Sequence, residues 1–181
     1  LYHWDLPQAL EDKGGWGWRD TSRYFGDYAA ALAKGLGDRV HDFMTLNEPG
    51  CTIDLGYAWA VHAPGRKGSR KFVVQATHNL LLAHGLAVKA LRQNAPQSLR
   101  AGIVLNPEVS TPATQSVADR DACDRRWTRV NGRFSDPLFL GKYPEDVMSD
   151  WGADAPIREA GDMEAIAEPT DFLGLNVYMR S

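Results

Sequence analysis

Residues 43 to 51 read FMTLNEPGC, an apolar run followed by an amide, a carboxylate and a proline. Phe43, Met44 and Leu46, with the β-branched Thr45 among them, suit a short, mostly buried strand. Pro49 has no N–H with which to extend a ladder, so the strand must end here. Asn47 and Glu48 are thereby placed at the strand's carboxyl end, an amide beside a carboxyl. A glutamate after a strand, taken alone, reads first as a solvated loop carboxylate. The amide beside it shifts that reading, because such a pair suits sugar chemistry: the amide can bind a ring hydroxyl and the carboxylic acid can protonate a glycosidic oxygen.

Outward from this stretch the chain alternates. LYHWDLP, stopped by Pro7, reads as the end of a strand; a Gly-rich loop follows, and Asp20-Thr21-Ser22 offers caps for a helix that Gly35 and Gly37 stop. Val40 to Leu46 is the strand already described. After a long loop, Ser69 caps a helix in which Phe72, Ala76, Leu80, Ala83, Ala87 and Leu91 recur at steps of three or four, an amphipathic stripe. His78 lies opposite that stripe and His84 flanks it, so both read as structural. Arg100 to Asn106 is another strand, residues 119 to 131 and PEDVMSDWG read as helices, and Thr170 to Tyr178 is a final strand. Strands separated by helices argue for βα units and a parallel sheet, since parallel neighbours need a long crossover, which leaves a barrel or an open doubly wound sheet. Strand ends carry His3 and Asp5, Asn47 and Glu48, Asn106 and Glu108, Asn176 and Tyr178. A (β/α)8 barrel gathers such ends on one face, and no phosphate-binding glycine pattern favours the open sheet.

Composition sets the bounds. The chain has 181 residues, 44% hydrophobic and 24% charged, with a formal net charge of −3, near the size of one domain or part of one. No apolar run approaches the ~20 residues of a membrane span, and neither nucleic acid nor membrane is an expected partner. Two cysteines, Cys51 and Cys123, make neither a disulfide framework nor a metal-ligand spacing, which points to a reducing, cytoplasmic compartment. The chain opens at Leu1 on what reads as a strand end, so an upstream segment is expected and the absence of a signal peptide carries no information.

LYHWDLPQALEDKGGW, TLNEP, HAPG, HNLLLAHG, DPLFLGKYP and DFLGLNVY occur in the order seen in family 1 glycoside hydrolases, the β-glucosidase family, which the whole chain resembles. The resemblance implies a (β/α)8 TIM barrel of which residues 1–181 form part of a single domain, from the end of strand 3 through strand 6. It implies a retaining β-glycosidase releasing terminal β-linked glucose from a β-glucoside or cello-oligosaccharide, with no metal and no organic cofactor. Glu48 would be the acid/base and Asn47 would bind the 2-hydroxyl of the glycon. His3 and Trp4 would line the glycon pocket, although on the residues alone an imidazole and an indole there serve structure equally well. Asn176 and Tyr178 match a late motif whose tyrosine hydrogen-bonds the nucleophilic carboxylate.

A retaining enzyme needs a second carboxylate about 5–5.5 Å from the first. In the family it sits in a later Thr-Glu-Asn-Gly motif that these residues do not include. The chain is therefore expected to be inactive alone and to self-associate through open barrel edges. Glu108, after the neighbouring strand, is the one rival nucleophile, and the resemblance gives it no such role. Gly50 and Arg133 stand where the family often has Trp, removing aromatic surface on the acceptor side; Cys51 is expected to pack there. A phospho-β-glycosidase, a cellulase, or a non-catalytic truncated barrel that binds sugar or self-assembles are the alternative readings.

Overall fold

The computed structural model describes residues 1–178. Three parallel strands, β1 (Asp42–Asn47), β2 (Arg100–Leu105) and β3 (Phe172–Leu175), form a sheet in the order β1-β2-β3. Tyr2 extends it beyond β1, bridging Leu46 in parallel; its N–H donates to Thr45 O at 2.9 Å and its carbonyl accepts from Asn47 N at 3.0 Å. Spatial order thus follows chain order, without the reversal that marks a doubly wound sheet. The architecture is α/β, with crossovers that begin with α1 (Gln8–Glu11) and α2 (Asp20–Leu36), and continue with α3 (Arg70–Asn94) between β1 and β2. Between β2 and β3 run α4 (Val117–Trp127), α5 (Arg133–Leu140), α6 (Glu145–Trp151) and α7 (Asp162–Ile166). Among the described residues no helix is long and apolar enough to cross a membrane.

Helix α3 is the hub of the packing. Ser69 caps it as its sequence suggests, its Oγ accepting from Phe72 N at 3.2 Å. The stripe residues Ala76, Leu80, Ala83, Ala87 and Leu91 are buried, but so is nearly everything else from Ala76 to Val88. The cause is that α3 is enclosed: the sheet lies on one side, α2 on another, and α5 and α7 beyond. His78 is therefore not on an open face; it is fully buried, with Nε2 3.1 Å from Asp162 and Nδ1 3.0 Å from the Tyr143 hydroxyl. Gly85 allows the tightest approach, since a Cβ there would lie 1.7 Å from Ala165 O of α7.

At the start of α2, Thr21 and Ser22 do not cap. Both lie inside the helix, where Thr21 Oγ1 donates to Gly15 O at 2.7 Å and Ser22 Oγ to Asn79 O at 2.6 Å, tying α2 to the preceding loop and to α3. Gly35 lies within the helix and only Gly37 ends it. The final strand is shorter than its sequence suggests, spanning Phe172–Leu175, although Asn176 N still donates to Leu105 O at 2.9 Å. The loop after Pro49 is not irregular: Cys51–Ala58 winds as a wide π-type helix that buries Ile53 and Tyr57. Leu80, Leu81, Leu91 and Ile103 are fully buried, each stabilising the fold by about 1.5–3 kcal/mol.

Candidate active site

The carboxyl end of β1 is irregular. Met44 pairs with Gly102 and Asn47 with Val104, so three steps along β1 match two along β2. Such a bulge bends the strand and re-aims the side chains that follow. The next residue, Glu48, has φ of +48°, in the left-handed region that non-glycine residues seldom adopt. Its N–H donates to Val104 O at 2.9 Å, and its carbonyl accepts from Cys51 N at 2.9 Å. The bulge and the left-handed turn together fold the Glu48 side chain back over the sheet end, where it is 4% exposed.

Three donors hold that carboxyl. Asn176, one residue beyond β3, donates from Nδ2 to Glu48 Oε1 at 2.6 Å and to Asn47 Oδ1 at 3.2 Å. The Tyr178 hydroxyl donates to the same Oε1 at 3.4 Å. Cys51 Sγ donates to Oε2 at 3.2 Å, and Asn106 Nδ2 at the end of β2 lies 3.6 Å from that sulfur. Burial, followed by the Glu48 contact and charge, pushes the Cys51 thiol up to about 12. The Tyr178 phenol is also raised, chiefly by the Glu48 charge.

On the other side, Trp4 Nε1 donates to Asn47 O at 2.9 Å, and Asn47 Nδ2 lies 3.3 Å from His3 Nε2. Trp4 adopts φ of +75° and its ring centroid lies 5.7 Å from that of His62, a neighbour the sequence reading gave no role. His3, Trp4, Asn47, Glu48, Asn176 and Tyr178 are thus gathered at one sheet end. Tyr178 reaches Glu48 itself, whereas the resemblance places such a tyrosine on a second carboxylate. The sequence suggests only packing for Cys51, although its i+3 spacing from Glu48 is the separation that one helical turn brings together.

Beside Glu48 opens a cavity of about 450 Å³, bounded by Gly50, Asp54, Trp59, Glu108, Trp127 and Arg133 among others. Arg133 pairs with Asp54 and stacks over Phe134, its guanidinium 4.6 Å from the ring centroid. A Cβ at Gly50 would meet Phe134 at 3.5 Å, ordinary contact, so a side chain could start there without a clash. Glu108 pairs with Arg126 of α4, while its backbone N–H donates to Asn131 Oδ1 at 3.0 Å. Among the described residues no carboxylate appears with the groups that hold Glu48. Among the described residues no cluster of His, Cys, Asp or Glu could hold a metal ion.

A parallel β/α sheet with an amide and a carboxyl paired at one strand's end is an arrangement that serves barrel glycosidases as a class. Within that class the chain belongs to glycosyl hydrolase family 1, whose description matches residues 1–181. It is 41% identical to a β-glucosidase of an Agrobacterium species, over 98% of this chain and 38% of the relative. Its fold superposes with a TM-score of 0.94 on the virulence factor SghA of Agrobacterium tumefaciens, solved with its substrate analog salicin, at 40% identity over 99% of this chain and 40% of that one. A Thermotoga maritima β-glucosidase solved with glucoimidazole matches with a TM-score of 0.91 and 38% identity, over 99% of this chain and 41% of that one. The chain thus spans about two fifths of the length of the relatives it matches.

Proposed function

We propose that residues 1–181 form the central part of a single (β/α)8-barrel domain of a retaining β-glucosidase, from the end of strand 3 through strand 6. The observation that carries the reading is the buried Glu48 carboxyl at the end of β1, flanked by Asn47 and held by Asn176. Salicin and glucoimidazole in the neighbouring structures support a terminal β-glucoside as substrate.

In this mechanism Glu48 protonates the glycosidic oxygen as the leaving group departs, then takes a proton from the water that hydrolyses the glycosyl-enzyme. Asn47 offers its amide to the glycon's 2-hydroxyl, a contact that strengthens as positive charge develops at the anomeric carbon. His3 and Trp4 line the glycon side, and Asn176 keeps Glu48 Oε1 in place. The second carboxylate, which attacks the anomeric carbon, comes from outside the described residues. Two carboxylates supply all the chemistry this reaction needs, with no metal or organic cofactor. Both cysteines are free, which is compatible with a cytoplasmic setting.

The test is release of 4-nitrophenol from its β-glucoside. The 181 residues alone are expected to give no turnover, and a chain extended through a strand with a second carboxylate is expected to give it. In that longer chain Glu48→Gln should lose hydrolysis by several orders of magnitude. Azide, which needs no general base, should restore turnover as β-glucosyl azide. Undiminished hydrolysis in Glu48→Gln would remove Glu48 from the mechanism.

A further inference from the structure

We propose that Cys51 is a positioning residue for Glu48, its thiol holding Oε2 and reversing its hydrogen bond as the carboxyl gains and loses a proton. The inference rests on the reading of Glu48 as the acid/base. Its geometry is independent of that reading: Sγ lies 3.2 Å from Oε2, and the two oxygens have separate partners.

The two sides of the carboxyl are unlike. Oε1 is held by Asn176 and approached by Tyr178, and an amide N–H can only donate, whatever the state of the carboxyl. Oε2 meets a thiol, which is both a weak donor and a weak acceptor. When Glu48 is ionised, S–H donates to Oε2. When Glu48 is protonated, the acid's O–H can turn toward sulfur, or leave it for a glycosidic oxygen at little cost because the sulfur contact is weak. An acid/base must hold both states without a strongly preferred one, and a partner that serves either suits that requirement. Burial and the adjacent carboxylate hold the thiol far from ionisation, so sulfur keeps the proton it needs as a donor and is a poor nucleophile in its own right. Asn106, 3.6 Å from sulfur on the far side, fixes the rotamer that aims Sγ at Glu48.

Alanine at 51 would leave a buried oxygen unpartnered, favouring the protonated carboxyl; serine would give it a stronger, O–H donor, favouring the ionised one.

The first measurement is the infrared S–H stretch in a Cys123→Ser background, where Cys51 is the only thiol. The band should lie at lower wavenumber above the carboxyl titration than below it, and Glu48→Gln should abolish that pH dependence. The second is carbon NMR of the Glu48 side-chain carboxyl: Cys51→Ala should move its titration midpoint up and Cys51→Ser should move it down. A mere packing role would move both variants alike or neither. A pH-independent S–H band, or midpoints that shift in the same direction, would overturn the proposal. Neither readout needs turnover, so failure of the glycosidase reading would show separately, as loss of β-glucoside hydrolysis in an otherwise intact longer chain.

Discussion

Acid should destabilise this protein through His84, a histidine enclosed within the fold. His84 is fully buried on α3; its Nδ1 lies 2.6 Å from the Thr45 hydroxyl and its Nε2 has no partner. Thr45 Oγ1 also lies 3.3 Å from Gly102 O. The arrangement that satisfies most groups has Nδ1–H donating to Thr45 and the Thr45 hydroxyl donating to Gly102 O, with Nε2 left as a bare lone pair. A proton on Nε2 would have no acceptor, and burial lowers the imidazole to about 3. The folded pKa is depressed, so the contribution to stability is fully present above the unfolded value of 6.5 and is lost as pH falls toward the folded value. Within that window the unfolded chain binds a proton that the folded chain refuses, and the loss is ~1.4 kcal/mol per pH unit. At pH 4.5, two units below the unfolded value, it amounts to about 2.7 kcal/mol, a large part of the margin by which such a domain is stable. The assay is urea unfolding followed by far-ultraviolet circular dichroism from pH 8 to pH 4.5, for the parent and for His84→Gln. Glutamine does not titrate, so the difference between the two curves removes the other groups that charge in acid, the Asp162–His78 pair included. A difference that narrows by ~1.4 kcal/mol per unit below pH 6.5 supports the reasoning. Parallel curves would show that His84 accepts its proton in the folded state, and would refute it.

Two further substitutions probe packing and the cavity. Gly85→Ala should destabilise by about 1–2 kcal/mol despite alanine's better helix propensity, because the new methyl meets the Ala165 backbone, whereas Gly35→Ala, with open space around it, should stabilise by about 0.5–1 kcal/mol; thermal midpoints of both variants decide. Gly50→Trp should alter KM across a series of aryl and alkyl β-glucosides in the longer, active chain, since the side chain would begin in ordinary contact with Phe134 and enter the cavity; an unchanged KM series would mean that the leaving group does not lie in that space.

Much of the fold was legible from strand ends. Pro49 stopped β1 where the sequence indicated, Ser69 capped α3, and the chain-order pairing of Tyr2, β1, β2 and β3 follows from helices between parallel strands. The gathering of His3, Trp4, Asn47, Glu48, Asn176 and Tyr178 was legible because polar strand ends in a parallel sheet share one face. What was hidden depends on tertiary context. A stripe every three or four residues shows which face of α3 is buried, but not that α5 and α7 cover the other, so the burial of His78, structural as its sequence suggests, is not visible in the stripe. Thr21 and Ser22 look like caps because hydroxyls near a helix start usually are; here the helix already begins at Asp20, so both lie inside its first turn and their hydroxyls donate to the carbonyls of Gly15 and Asn79. The π-type winding of Cys51–Ala58 has no compositional mark, and so the thiol beside Glu48 passed as packing.

The placement of Glu48 itself shows what the site asks of the backbone. A left-handed non-glycine residue costs on the order of 1–3 kcal/mol. Glycine would remove that cost and the carboxyl with it. The fold keeps the carboxyl and offsets the strain by using every group nearby: the Glu48 N–H is bound by Val104, its carbonyl by Cys51, and both side-chain oxygens by groups from β3's end and the helix that follows. These partners come from the helix after β1, from β2 and from the end of β3, so the conformation forms only when the sheet is assembled. The bulge one step earlier serves the same end, since without its extra residue the pleat would turn position 48 to the opposite face. A straight strand ending one residue sooner would be the more stable sheet; the irregular one is the arrangement that delivers a buried, fully partnered carboxyl to the sheet's end.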